Sequence, residues 1–131
     1  MCGIVGIIGL GKDVSTHKVH AMNNRIEHRG PDAEGFFIED GIALGHRRLS
    51  IIDLSAGANQ PLFDISNRYV IVFNGEIYNY AEVKSEIDYH WTSNSDTEVI
   101  LAAYIKWGKA CLDKLNAVSY THLTLPTKRI V

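Results

Sequence analysis

Cys2, the Asn74-Gly75 pair, Arg48 and the carboxylates Glu76 and Asp96 are the residues whose types suit a reaction. Cys2 follows Met1, and an initiating methionine is commonly removed when the second residue is small. Its thiol and α-amine then belong to one terminal residue. An α-amine has a pKa of about 7.7–8.0, so much of it is neutral at cellular pH. It can accept the thiol's proton, directly or through a water, and later return one to a leaving amine. One residue thus supplies nucleophile and general base without a histidine. The plainer use of Cys2 is as a small buried hydrophobe opening a strand. An asparagine amide and a glycine N–H are suitable donors to a tetrahedral oxyanion, yet Asn-Gly is also the commonest short hairpin turn. A free amino acid needs a cation for its carboxylate and an anion for its ammonium. Arg48 suits the first because a guanidinium binds bidentately, and Asp96 or Glu76 suits the second. Arg48 is equally a surface charge, and Asp96 a complement to a helix dipole.

Other patterns carry less. Gly6 to Lys12 spells the start of a phosphate-binding loop, but Asp13 stands where a serine or threonine is needed and would repel phosphate. His17, His20, His28, His46, His90 and His122 show no zinc-like pairing with cysteines, so no metal site is expected and solvent-facing imidazoles are. Cys2 and Cys111 are the only cysteines, too few for a disulfide framework. A formal net charge of −2 gives no reason to expect nucleic acid or an anionic membrane as partner. The apolar opening meets Lys12 and Asp13 well short of a membrane span. The expectation is a cytoplasmic chain with reduced thiols.

The elements that must hold these residues are mixed. At 131 residues, 46% hydrophobic and 21% charged, the chain has the size and composition of one globular domain. Cys2–Ile8 reads as a buried strand and Gly9–Lys12 as a turn. Ser15 starts a helix to about Glu27, with Val19, Met22 and Ile26 inward, and Gly30-Pro31 stops it. Glu34–Glu39 and Ile42–His46 form a hairpin turned at Asp40-Gly41. A long loop spans Arg47–Leu62, a strong strand Arg68–Phe73, and a short helix Tyr80–Ile87. Ser95 and Glu98 form a capping box for a helix to Trp107, which Gly108 ends. A last helix covers Lys109–Leu115.

These segments resemble the class II, N-terminal-nucleophile glutamine amidotransferase domain, most of all the glutaminase half of glutamine-hydrolysing asparagine synthetase. The resemblance rests on Met1-Cys2-Gly3-Ile4-Val5-Gly6, His28-Arg29-Gly30-Pro31-Asp32, His46 through Asp53, Asn59-Gln60-Pro61-Leu62, Asn74 through Asn79, and Ser95-Asp96-Thr97-Glu98, all in register. It implies an α+β fold, the αββα four-layer sandwich of the Ntn hydrolases. It also implies Cys2 as nucleophile with its own amine as base, and an oxyanion hole of Asn74 and the Gly75 N–H. Arg48 would hold the glutamine carboxylate, and Glu76 and Asp96 its ammonium, with backbone near Leu49 and Ile51 lining the pocket. The implied products are ammonia and glutamate, formed through a glutamyl-thioester. In the parent enzyme, which could be a homodimer, a C-terminal synthetase domain using ATP and Mg2+ would pass the ammonia to aspartate. No cofactor falls on this chain.

The match covers 1–117. After Asn116 the family continues with a glycine and an apolar strand, whereas 118–131 reads as a non-family tail, consistent with a translated artefact. The expectation is a truncated domain, incomplete on its C-terminal side, whose unpaired strand edges favour aggregation. Two other readings are a non-catalytic glutamine-binding or assembly module, and an inactive gene fragment.

Overall fold

A computed structural model describes residues 2–9, 14–50 and 55–119. Strand β1 (Gly3–Ile8) and the hairpin β2 (Ala33–Glu39) and β3 (Ile42–Arg48) make an antiparallel sheet in the order β1-β3-β2. The hairpin turns at Asp40-Gly41 as the sequence indicates, with Gly41 at φ 80°, a conformation that suits glycine. β3 runs two residues further than expected and takes in both arginines that the sequence assigns to a loop. Its residues Ala43–Arg48 are all buried, because β3 is the central strand and both faces are covered.

Helix α1 (Thr16–Arg25) lies on one face and gives way to a 3₁₀ turn at Glu27–Arg29. Val19 is fully buried, but Met22 is 39% exposed and Asn23 takes its expected place inside. Asn23 follows Val19 by four residues, one helical turn, and its Nδ2 donates to Glu34 Oε2 at 3.3 Å.

The strand expected over Arg68–Phe73 shrinks to β5 (Val70–Ile71), paired with β4 (Leu62–Phe63). The flanking backbone is drawn off by side chains: Tyr69 N–H donates to Asp64 Oδ1 at 2.6 Å and Phe73 N–H to Gln60 Oε1 at 2.5 Å. β6 (Gly75–Ile77) pairs antiparallel with β7 (Ala117–Ser119), which crosses the boundary that the sequence suggests at 117. Between them come α2 (Tyr80–Ser85), α3 (Asp96–Trp107) and a 3₁₀ segment over Gly108–Lys114. The fold is therefore mixed α and β with antiparallel sheets.

Two apolar clusters flank α3. Leu62, Ile71, Ile77, Ile100 and Leu101 pack on one side, and Val83, Ile87, Val99, Ala102, Ala103 and Cys111 on the other. Burial raises the Cys111 thiol above its ordinary range, with help from the charge of Asp113, so it stays protonated. Among the described residues no helix is long and apolar enough to cross a membrane. The rest of the turn after Gly9, Ile51 with its neighbours 52–54, and the tail from 120 on lie outside the described residues.

Candidate active site

Antiparallel register and strand alternation sort the site residues by face. Ile4 lies opposite His46 and Gly3 opposite Arg47. Directly opposed residues share a face and neighbours along a strand alternate, so Cys2, Ile4, His46 and Arg48 belong to one face. Arg47 belongs to the face under α1. There its Nε donates to Asn23 O at 3.2 Å, and its Nη2 to Asn24 Oδ1 at 2.7 Å and Glu34 Oε2 at 2.9 Å. Of two adjacent arginines, only Arg48 is on the side of the cysteine. Arg48 is 7% exposed, and its Nη1 donates to Ser55 O at 2.7 Å and Asn59 Oδ1 at 2.6 Å, which fix the guanidinium in place.

Cys2 immediately precedes β1 and is half-buried. Leu49 N–H donates to its Sγ at 3.3 Å, and Sγ in turn lies 3.6 Å from Leu49 O. Arg29 Nε donates to Cys2 O at 3.1 Å, holding the backbone beneath the thiol. The structure therefore puts Cys2 in contact with Leu49, the neighbour of Arg48 in the chain.

Asn74-Gly75 is not a hairpin turn. Such a two-residue turn needs left-handed backbone, and among the described glycines only Gly41 and Gly108 have positive φ. Gly75 instead opens β6, where a Cβ would collide with Val118 O and meet the Phe73 ring at 2.5 Å. Close approach, not turn geometry, explains the glycine. Asn74 beside it is 7% exposed.

Asp96 and Glu76 meet across the α3–β6 junction. Ile77 N–H donates to Asp96 Oδ2 at 2.9 Å, tying β6 to the first turn of the helix. Burial raises the Asp96 carboxyl above its ordinary range; the N–H groups of Ile77 and Thr97 oppose this, and the charge of Glu76 adds to it. A cation beside both carboxylates would relieve that repulsion. Glu76 is exposed and Asp96 buried. Ser95 caps the helix by accepting from Thr97 and Glu98 N–H at 3.1 and 3.4 Å. The reciprocal half of the expected capping box is absent. Glu98 turns away to four donors, the N–H and hydroxyl groups of Thr92 and Ser93 at 2.7–2.8 Å, which together outweigh one N–H of Ser95.

His46 corrects the expectation of solvent-facing imidazoles: it is fully buried. Its Nε2 is 3.3 Å from Phe73 O, and a carbonyl only accepts, so Nε2 carries the proton. Nδ1 is buried with no hydrogen-bond partner among the described residues. Burial lowers its pKa from 6.5 to about 4; the Phe73 carbonyl opposes the shift and the Arg48 charge assists it. The sequence signal was available: His46 stands two residues from Arg48 in an alternating strand. Among the described residues no three His, Cys, Asp or Glu side chains group as a metal site.

Residues 1–121 match the family described as a glutamine amidotransferase domain. The chain is similar to the glutamine-hydrolysing asparagine synthetase 1 of Bacillus subtilis, 41% identical over 125 residues, 90% of this chain and 20% of that protein. The glutamine-hydrolysing asparagine synthetase B of Escherichia coli is 38% identical over 122 residues, 90% of this chain and 22% of that protein. The glutamine-hydrolysing asparagine synthetase of Zea mays is 36% identical over 132 residues, 98% and 22% respectively. The chain thus spans about a fifth of the length of these relatives.

Proposed function

We propose that this chain, which belongs to the glutamine amidotransferase domain family, hydrolyses glutamine at Cys2 and hands on the ammonia. The observation that carries the reading is the pairing of Cys2 Sγ with Leu49 N–H, beside buried Arg48. In this reading, removal of Met1 frees the Cys2 amine, which takes the thiol proton. Sulfur attacks the side-chain amide carbon of glutamine, and the oxyanion is held by the Asn74 amide and Gly75 N–H. The tetrahedral species expels ammonia, which leaves with a proton from the Cys2 ammonium. Water then cleaves the thioester to glutamate and regenerates the thiol. Arg48 binds the substrate carboxylate, Glu76 and Asp96 its ammonium, and backbone at Leu49 lines the pocket. The crowding of Glu76 on Asp96 supports the ammonium assignment.

The mixed antiparallel fold fits a four-layer αββα Ntn-hydrolase domain over 1–117, and the family match runs on to residue 121. For the longer protein we propose that ammonia reaches a cytoplasmic synthetase domain that forms asparagine from aspartate with ATP and Mg2+, in a homodimer. No residue of this chain is assigned to that step.

The test is Cys2→Ala. Glutamate release should vanish while glutamine still binds by calorimetry. Retained release would show that Cys2 is not the nucleophile, and a wild-type chain that binds glutamine without hydrolysing it would instead favour a non-catalytic binding module.

A further inference from the structure

Two buried side chains meet on the backbone of one residue, Phe73, beside the proposed oxyanion site. His46 Nε2 donates to Phe73 O at 3.3 Å, and Gln60 Oε1 accepts from Phe73 N–H at 2.5 Å. They arrive from different parts of the chain. His46 stands on central strand β3. Gln60 lies over β2, where a Cβ at Gly35 would collide with its carbonyl oxygen. Gln60 Nε2 also donates to Thr97 Oγ1 at 3.2 Å, so the first turn of α3 braces it. We propose that His46 and Gln60 are positioning residues that clamp the Phe73 backbone and thereby aim the Asn74 amide and Gly75 N–H at the oxyanion. The inference rests on the amidotransferase reading above.

The need for a clamp follows from the strand boundaries. β5 ends at Ile71 and β6 begins at Gly75, so residues 72–74 lack a ladder to orient them. The Phe73 carbonyl and the Asn74 N–H share one rigid plane. Fixing that carbonyl therefore fixes the direction in which the chain enters Asn74. On the other side Gly75 is registered against Ser119 in the β6–β7 pair. Asn74 is then the one residue between a clamped peptide and a paired strand. Donors to a developing charge must be held within about 0.5 Å of the productive geometry. Neutral His46 supplies this donor from the tautomer that carries its proton on Nε2.

The experiment compares wild type, His46→Leu, His46→Gln and Gln60→Met in the full chain. It measures glutamate release against glutamine concentration, and alkylation of Cys2 by iodoacetamide, which builds no oxyanion. Loss of aim in His46→Leu and Gln60→Met should lower kcat about 10- to 100-fold, less than the roughly 10²–10³ lost with a whole oxyanion donor. KM and the alkylation rate should stay within about twofold of wild type, and His46→Gln, which keeps a donor, should recover most of kcat. A loss shared by KM and alkylation would mark a general packing role and overturn the clamp, as would unchanged kcat in either folded variant. If His46→Leu does not fold, Gln60→Met decides alone by the same criteria. Hydrolysis by wild type with unchanged variants sinks only the clamp. A wild type that alkylates at Cys2 but never hydrolyses glutamine sinks the amidotransferase reading and the clamp with it.

Discussion

Acidification should destabilise this chain through His46, and the size of the effect follows from its burial. The imidazole is held neutral with a pKa of about 4, against 6.5 in the unfolded chain. Above pH 6.5 both states are neutral and His46 contributes no pH dependence. Between 6.5 and 4 the unfolded state binds a proton that the folded state refuses, so stability falls as pH falls. At about one pKa unit per 1.36 kcal/mol, the full loss approaches roughly 3 kcal/mol near pH 4 and is already about 1.4 kcal/mol at pH 5.5. That is a large share of the roughly 5–15 kcal/mol by which domains are stable. Urea unfolding at pH 7.5 and 5.5, on wild type and His46→Gln, isolates the term. Other titrating groups act in both proteins, whereas only wild type carries the imidazole. Wild type should lose about 1.4 kcal/mol more than the variant between the two pH values. Equal losses would show that His46 protonates as readily folded as unfolded, and the account of a neutral, buried donor to Phe73 would be wrong.

Two other perturbations probe the supports of the site. Glu98→Gln replaces one of two oxygens, which between them accept four hydrogen bonds, with a donor, inside a pocket where Glu98 is 2% exposed. Thermal unfolding should show a loss of about 2–3 kcal/mol, and glutamine KM should rise because Asp96 rides on the same turn. Gly35→Ala would drive a methyl group into the Gln60 carbonyl, backbone that cannot swing aside. Chemical denaturation should register a loss of about 2 kcal/mol or more, with kcat falling further than it does for Gly45→Ala, whose methyl meets the Val5 and Asn23 side chains on the α1 face.

Much of the site is legible in the linear order. A cysteine at position 2, a pair of arginines just past a hairpin strand, an Asn-Gly pair and a capped helix opening Ser-Asp-Thr-Glu are local facts. So are the hairpin at Asp40-Gly41 and the stop at Gly108, because turn and cap chemistry acts over a few residues. What fails is what depends on distant partners. Met22 and Asn23 exchange roles because Glu34 on β2 supplies a partner for the amide. Glu98 abandons its capping box for Thr92 and Ser93. The strand at Arg68–Phe73 shortens because Asp64 and Gln60 compete for its N–H groups.

The sequence by itself determined the family to which this chain belongs, since the motifs stand in register, and residue type alone names the nucleophile, oxyanion donors and charged anchors that we propose. Only tertiary structure decided which side of β3 each arginine serves, why Gly75 must be glycine, and that His46 is an internal donor and not a surface imidazole. Those outcomes depend on the packing of strands, loops and α3 that are far apart in the chain. Burial and hydrogen-bond competition act between such neighbours, and no local pattern encodes them.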